Sequence, residues 1–336
     1  MNWMALDIGG ANIKLANGKG YAASYIFPMW EQYDGLASEL RKLITEAPSS
    51  DHLAITMTGE LADCFESKTE GVQHILDSVT EGSDGRHTRV YTVNGHLVAP
   101  QVAKNKPMTV AASNWHALAR FAGRFCEEGP ALLIDVGSTT TDIIPLRDGV
   151  PIASAKTDTD RMISGELVFS GIERSPVCAI VNEVPYRGQM CSVAQEVFAT
   201  TADVYLLLGD LAEGITGRNT ADKRPATKAA ARNRIGRMIC VAGDEFNHRD
   251  AVAMAQHVSE QQTKIIANSM SRVLKALGEQ PATVVLSGHG EFIAKRAMSS
   301  LGMTPEIVSL SKKLGAQVSR CGSAHALAVL AQEATS

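Results

Sequence analysis

Met4-Ala-Leu-Asp7-Ile-Gly9-Gly10-Ala11-Asn12-Ile-Lys14 opens the chain, and Leu132-Leu-Ile-Asp135-Val-Gly137-Ser138-Thr139-Thr140-Thr141-Asp142 repeats its plan. The two stretches align at Asp7/Asp135 and Gly9/Gly137, an offset of 128 residues (7 to 135). Apolar residues lead into both acids, and small or hydroxylated residues follow both glycines. Each stretch predicts a buried strand ending in an acid, a tight turn and a second strand. Such a hairpin presents backbone N–H groups to a phosphate and a carboxylate to the phosphate's metal ion. Two copies at this spacing predict a duplicated domain with a ligand between the halves.

The remaining sequence fits that plan. A chain of 336 residues suits roughly two domains of about 100–200 residues. Hydrophobic residues make up 45% and charged residues 20%, which supports a real core. The net charge of −4 gives no bulk attraction to nucleic acid or an anionic membrane, so neither is an expected partner. The six cysteines (64, 126, 178, 191, 240 and 321) form no C-x-x-C pair and read as core thiols. No signal peptide is apparent and no apolar run reaches the ~18 residues needed to span a bilayer, so a cytoplasmic location is the default expectation. Self-association as a homodimer stays open.

In chain order, residues 3–8, 12–17 and 21–27 predict a three-strand meander. Leu36, Leu40, Leu43 and Ile44 predict a helix over 34–46. A strand at 52–57 ends in Thr58-Gly59-Glu60, with a helix over most of 66–82 and another strand at 89–93. Ser113 is placed to cap a helix running to about Phe125. The second half opens with strands at 131–136, 140–146 and 150–155, followed by a looser region to about Tyr186. Helices are expected at 192–200, 203–208 and about 249–277. Residues 209–228 read as a loop. Thr283–Leu286 is a buried strand before Ser287-Gly288-His289-Gly290, and Gly322–Leu330 a terminal helix of small residues.

This order resembles the superfamily of actin, sugar kinases and Hsp70 chaperones, in which two phosphate hairpins and an adenosine-side glycine turn mark the ligand cleft. The resemblance implies an α/β fold of duplicated actin-like (ribonuclease H-like) domains. Domain I would comprise 1–129 plus 316–336, and domain II 130–315 with a cap insertion at about 156–230. More narrowly, Met57–Phe65, Ser113–Ala117, Asp135–Asp142, Ser164–Leu167 and Asn219–Lys228 are similar to the hydantoinase A/oxoprolinase-like proteins of tetrahydromethanopterin-linked one-carbon metabolism. An archaeal branch of that family makes the aryl ether of a methanofuran precursor. It joins a furfuryl-type diphosphate to the phenol of a tyramine derivative and releases pyrophosphate. The resemblance implies that reaction here, with a tyramine- or tyrosine-derived acceptor.

The residue types suit it. Asp7 and Asp135 are the candidate Mg²⁺ ligands, since this cation takes one or two carboxylates plus phosphate oxygens. Gly9, Gly10, Ala11, Asn12 and Lys14, with Gly137, Ser138, Thr139, Thr140, Gly288 and Gly290, are the candidates for holding a diphosphate or a nucleotide. Glu60 is the first candidate general base and Asp63 the second. Both read equally as first-turn acids favoured by a helix dipole. Trp115, between Asn114 and His116, is either an aromatic platform for the substrate or a packed core residue. Glu166, Arg218, Lys223, Arg224 and Lys228 complete the candidate substrate contacts, whereas Arg232, Arg234 and Arg237 read as a solvated helix face. His289 and His325 are expected to be structural. The same parts would serve ATP, so an ATP-dependent small-molecule kinase or amide hydrolase is the competing reading.

Overall fold

Every residue of β1 (Trp3–Ile8) is buried, Asp7 included. Cover on both faces is what a continuous apolar run at the centre of a sheet requires. The computed structural model describes residues 1–214 and 220–335. β1 pairs antiparallel with β2 (Asn12–Ala16) and parallel with β4 (His52–Met57). With β3 (Ala22–Ile26), β5 (His87–Tyr91) and β6 (Leu97–Val98), these strands form a sheet in the order β3-β2-β1-β4-β5-β6.

The second half repeats this topology. β7 (Pro130–Val136) pairs antiparallel with β8 (Thr141–Arg147) and parallel with β13 (Thr283–Ser287), which pairs parallel with β14 (Glu306–Ser309). β9 (Val150–Pro151) and β10 (Leu167–Val168) extend the β8 edge, while β11 (Glu183–Tyr186) and β12 (Gln189–Ser192) form a separate hairpin. The order β10-β8-β7-β13-β14 therefore matches β3-β2-β1-β4-β5. The duplicated actin-like α/β fold is present, and in each copy the central strand ends in a hairpin at its acid.

Two helices join the sheets. Gly322–Glu333 buries Leu327, Ala328 and Ala331 against Trp3, Ala5 and Ala54 of the first sheet, and Ala326 beside Leu133 and Val285 of the second. Asn114–Ala122 does the same with Ala117 toward the first sheet and Trp115, Leu118 and Phe121 toward the second. Small residues let the two helices approach closely: a side chain at Gly322 would stand 2.9 Å from Ser287 Oγ and 3.3 Å from Leu118. The wedge thus fixes the two hairpins relative to each other.

Several elements differ from expectation. The helix expected at 192–200 is absent: β12 ends at Ser192 and the helix begins only at Thr201 (Thr201–Leu208). The intervening chain is held by backbone bonds such as Ala194 N to Met238 O, 2.7 Å. The strand expected at 150–155 pairs only over Val150–Pro151. Part of the segment read as a cap supplies core residues instead, among them Val177, Val184, Val204 and Tyr205 beneath the His248–Leu277 helix. Arg234, expected in solvent, is fully buried. Its guanidinium spans Asp203 (2.6 Å) and Asp222 (2.9 Å), acids from separate segments that neutralise it in place. Cys240, expected in the core, is exposed.

Candidate functional site

The two hairpins close in the same way. Gly9 N donates to Asn12 O at 3.0 Å, and Gly137 N donates to Thr140 O at 2.9 Å. Their carbonyls are tied back. Gly10 O accepts from Met29 N and Ala11 O from Phe27 N, while Gly137 O accepts from Ile172 N and Ser138 O from the N–H groups of Glu173 and Arg174. The N–H groups of Gly10, Ala11, Ser138 and Thr139 have no acceptor among the described residues. A loop with its carbonyls engaged and its donors free has the backbone arrangement that suits an anion. At Gly10 an added side chain would meet nothing within 4 Å, so the first turn is open to a ligand.

Three carboxylates and a lysine lie between these turns. Register places Asp7 opposite Lys14 and Asp135 opposite both Asp142 and Ser287. Burial raises the Asp7 carboxyl above its ordinary range, against the opposing pull of Lys14 and a hydrogen bond from Asn114. Burial, with Asp142 and Asp7 adding to it, pushes Asp135 up to about 6. Lys14 acts electrostatically on Asp7, Asp135 and Asp142, and makes no ion pair of its own among the described residues. Asp7 Oδ1 is buried without a hydrogen-bond partner.

Asp142 was not among the candidates, nor was the group that orients it. Arg161 is 2% exposed, contacts Asp142 at 2.5 Å and stacks its guanidinium 4.3 Å from the Trp115 ring centroid. Trp115 is therefore a buried platform for an arginine of the chain itself. His116 Nδ1 lies 3.0 Å from the Tyr91 hydroxyl, and burial holds its pKa near 4, so the ring is neutral. Asn114 does reach the acid cluster, through Asp7.

Glu60 is 1% exposed, and among the described residues neither carboxylate oxygen has a partner at hydrogen-bond geometry, although the backbone of Glu60 and Ala112 pulls weakly on it. Burial, aided by the nearby Asp158, pushes its pKa up to about 7. Asp158 pairs across the halves with Lys68 at 3.5 Å and lies 3.8 Å from Arg161. Gly71 lets the Lys68–Gly82 helix pass directly over Glu60, where a side chain would meet the Glu60 carbonyl at 2.4 Å. A buried carboxyl poised near neutrality and lacking partners is suited to take up a proton. Asp63 is exposed and makes no contact with this cluster.

Gly288 seals the far side. It has φ +82°, and a side chain there would stand 2.2 Å from Val136 O and 3.0 Å from Asp135 Oδ1. Gly290 N donates to Val136 O at 3.1 Å. His289 Nε2 contacts Glu173 at 2.8 Å, and Arg320 contacts the same oxygen at 3.1 Å. Glu166 accepts from Ser154 N and Oγ through Oε1, leaving Oε2 without a partner. Lys223, Arg224 and Lys228 are exposed and do not join the acids; Arg224 faces Asp222 at 3.8 Å. Arg218 lies outside the described residues. A cavity of about 680 Å³ lined by Trp3, His52, His87 and Arg89 sits at the opposite ends of β1, β4 and β5, away from the acids.

The donor set fits Mg²⁺. Asp7 offers an unpartnered oxygen, and Asp135, from the other half, lies close enough to feel its charge. Among the described residues no three His, Cys, Asp or Glu side chains converge as a protein-only cage. That suits a cation completed by phosphate oxygens and water.

The structure is similar over nearly its whole length to an inorganic polyphosphate/ATP-glucomannokinase from an Arthrobacter strain (13% identity, TM-score 0.45, 99% of each chain). It is also similar to an archaeal actin homologue (12% identity, TM-score 0.44, 100% of each chain). Among curated proteins it is similar to (4-{4-[2-(gamma-L-glutamylamino)ethyl]phenoxymethyl}furan-2-yl)methanamine synthase of Methanocaldococcus jannaschii. The identity is 33%, covering 98% of this chain and 97% of that one. The protein of the same name from Methanococcus vannielii is 31% identical over 59% of this chain and 89% of its own. The family model for hydantoinase/oxoprolinase matches residues 51–330, and the chain belongs to that family.

Proposed function

We propose that this protein is a transferase that joins a furfuryl-type diphosphate to a phenolic acceptor derived from tyramine or tyrosine, releasing pyrophosphate, in the synthesis of a methanofuran-type coenzyme. The observation that carries this reading is the placement of Asp7, Asp135, Asp142 and Lys14 beside two hairpins, each of which leaves backbone N–H groups without acceptors among the described residues. The name of the 33% identical synthase supports it, because its product has a phenyl ring joined to a furan through an oxygen and a methylene.

The phenol oxygen forms a bond to the furfuryl carbon as that carbon's bond to the diphosphate oxygen breaks. The bonding electrons leave with pyrophosphate, and the phenol proton passes to a base. Mg²⁺ held by Asp7 and Asp135 would offset charge on the departing group. Lys14 and the hairpin N–H groups hold its oxygens and align the carbon. Glu60 accepts the proton, its raised pKa keeping it receptive near neutral pH. Arg161 holds Asp142 in position and opposes the burial that raises its pKa.

The test is pyrophosphate release with Mg²⁺, a furfuryl diphosphate and a tyramine or tyrosine derivative. Asp135→Asn is expected to lower turnover at least a hundredfold, in line with loss of one charge-stabilising group. Full activity in that variant would overturn the metal assignment.

A further inference from the structure

The cleft holds one arginine and one tryptophan that the proposed chemistry has not used. Trp30 follows Met29, whose N–H donates to Gly10 O at 2.9 Å, so it is fastened to the first hairpin. Arg174 donates its N–H to Ser138 O at 3.0 Å, so it is fastened to the second. The two meet between the halves, with the guanidinium 4.8 Å from the indole centroid. Trp30 Nε1 also donates to its neighbour Glu31 at 3.3 Å, an in-plane contact at the ring edge that does not use the indole face. Arg174 has no carboxylate within ion-pair distance among the described residues, because its neighbour Glu173 is committed to His289 and Arg320. Trp30 is 38% exposed. Further apolar side chains stand in solvent beside the hairpins. Ile26, the strand partner of Asn12, is 63% exposed, and Phe169, next to Thr141's partner Val168, is 57% exposed.

We propose that Trp30 and Arg174 form the subsite for the ring-bearing diphosphate, with the indole face taking the ligand's aromatic ring and Arg174 its phosphate oxygens. This rests on the diphosphate-transfer reading. An arginine without a counter-ion beside an anion receptor gains most by pairing with the anion, where two parallel N–H···O bonds form. Its departure frees the indole face, and a flat ring one methylene from the diphosphate replaces a flat cation there. The subsite selects aryl- or furfuryl-methyl diphosphates over ring-free ones, and its two halves close onto each other when no ligand is present.

The test measures binding rather than turnover. Benzyl diphosphate and pyrophosphate would be titrated calorimetrically into the wild type and its variants with Mg²⁺ present. The wild type is expected to bind benzyl diphosphate about tenfold more tightly than pyrophosphate, the worth of one desolvated stack. Trp30→Ala abolishes that preference while leaving pyrophosphate binding unchanged, and Trp30→Phe keeps most of it. Arg174→Met weakens both ligands. Equal wild-type affinity for the two ligands, or an equal loss of both in Trp30→Ala, would overturn the ring subsite while the diphosphate reading stands. If the wild type binds no diphosphate, the reading itself falls and the subsite with it. Thermal melts of each variant separate these outcomes from misfolding.

Discussion

Glu60 and Arg161 show how single buried groups serve the cleft. The Glu60 carboxyl is raised to about 7 by burial without hydrogen-bond partners. A raised carboxyl means the folded state holds its proton more tightly than the unfolded chain. That stabilisation is fully present below about pH 4.5, is lost progressively as pH rises toward about 7, and is gone above it. Glu60→Gln removes the liability. Its stability relative to wild type should grow between pH 4.5 and 7 and level off above, by roughly 3 kcal/mol at most. Denaturant melts at pH 5 and pH 8 measure this; an unchanged difference between the two would contradict it. If Glu60 is the base, wild-type turnover also rises through pH 7 and the variant's does not. Arg161 makes a different prediction. Arg161→Met leaves Asp142 buried without its partner and should destabilise the fold by about 3–5 kcal/mol. Loss of less than about 1 kcal/mol in urea unfolding would show that Asp142 is neutralised by other means.

The hairpins were the most legible elements, because their signal is local: an apolar run, an acid and a glycine within a few residues. The turn chemistry does not depend on distant contacts, so sequence and structure agree there. Gly10 and Gly288 separate the two uses of glycine. Space around Gly10 is open, so Gly10→Ala should fold normally, yet its methyl group enters the receptor and weakens pyrophosphate binding about tenfold. Gly288 has positive φ and abuts Val136 O, so Gly288→Ala should cost roughly 1–3 kcal/mol or more and disturb Asp135. Calorimetry and thermal melts on the two variants distinguish these outcomes. What local signal could not supply was long-range pairing. Arg232, Arg234 and Arg237 read as a solvated helix face, but Asp203 arrives from another helix and buries Arg234. Trp115 opens a helix, as expected, but Arg161 from the other half occupies its ring. The apolar residues of 177–206 lack a clear period, and only the 248–277 helix laid over them makes them core.

At the scale of the whole molecule, two copies of one sheet are held by a wedge of small-residue helices, and their strand ends face each other. Such a cleft can hold a nucleotide or a departing diphosphate, and the distinction lies in which bond breaks. The most direct measurement places Mg²⁺, ATP, a furfuryl diphosphate and a tyramine derivative in one reaction and quantifies ether, pyrophosphate and ADP together. Ether and pyrophosphate formed in equal amounts, with ATP untouched, is the predicted result. ADP formed without ether would contradict it.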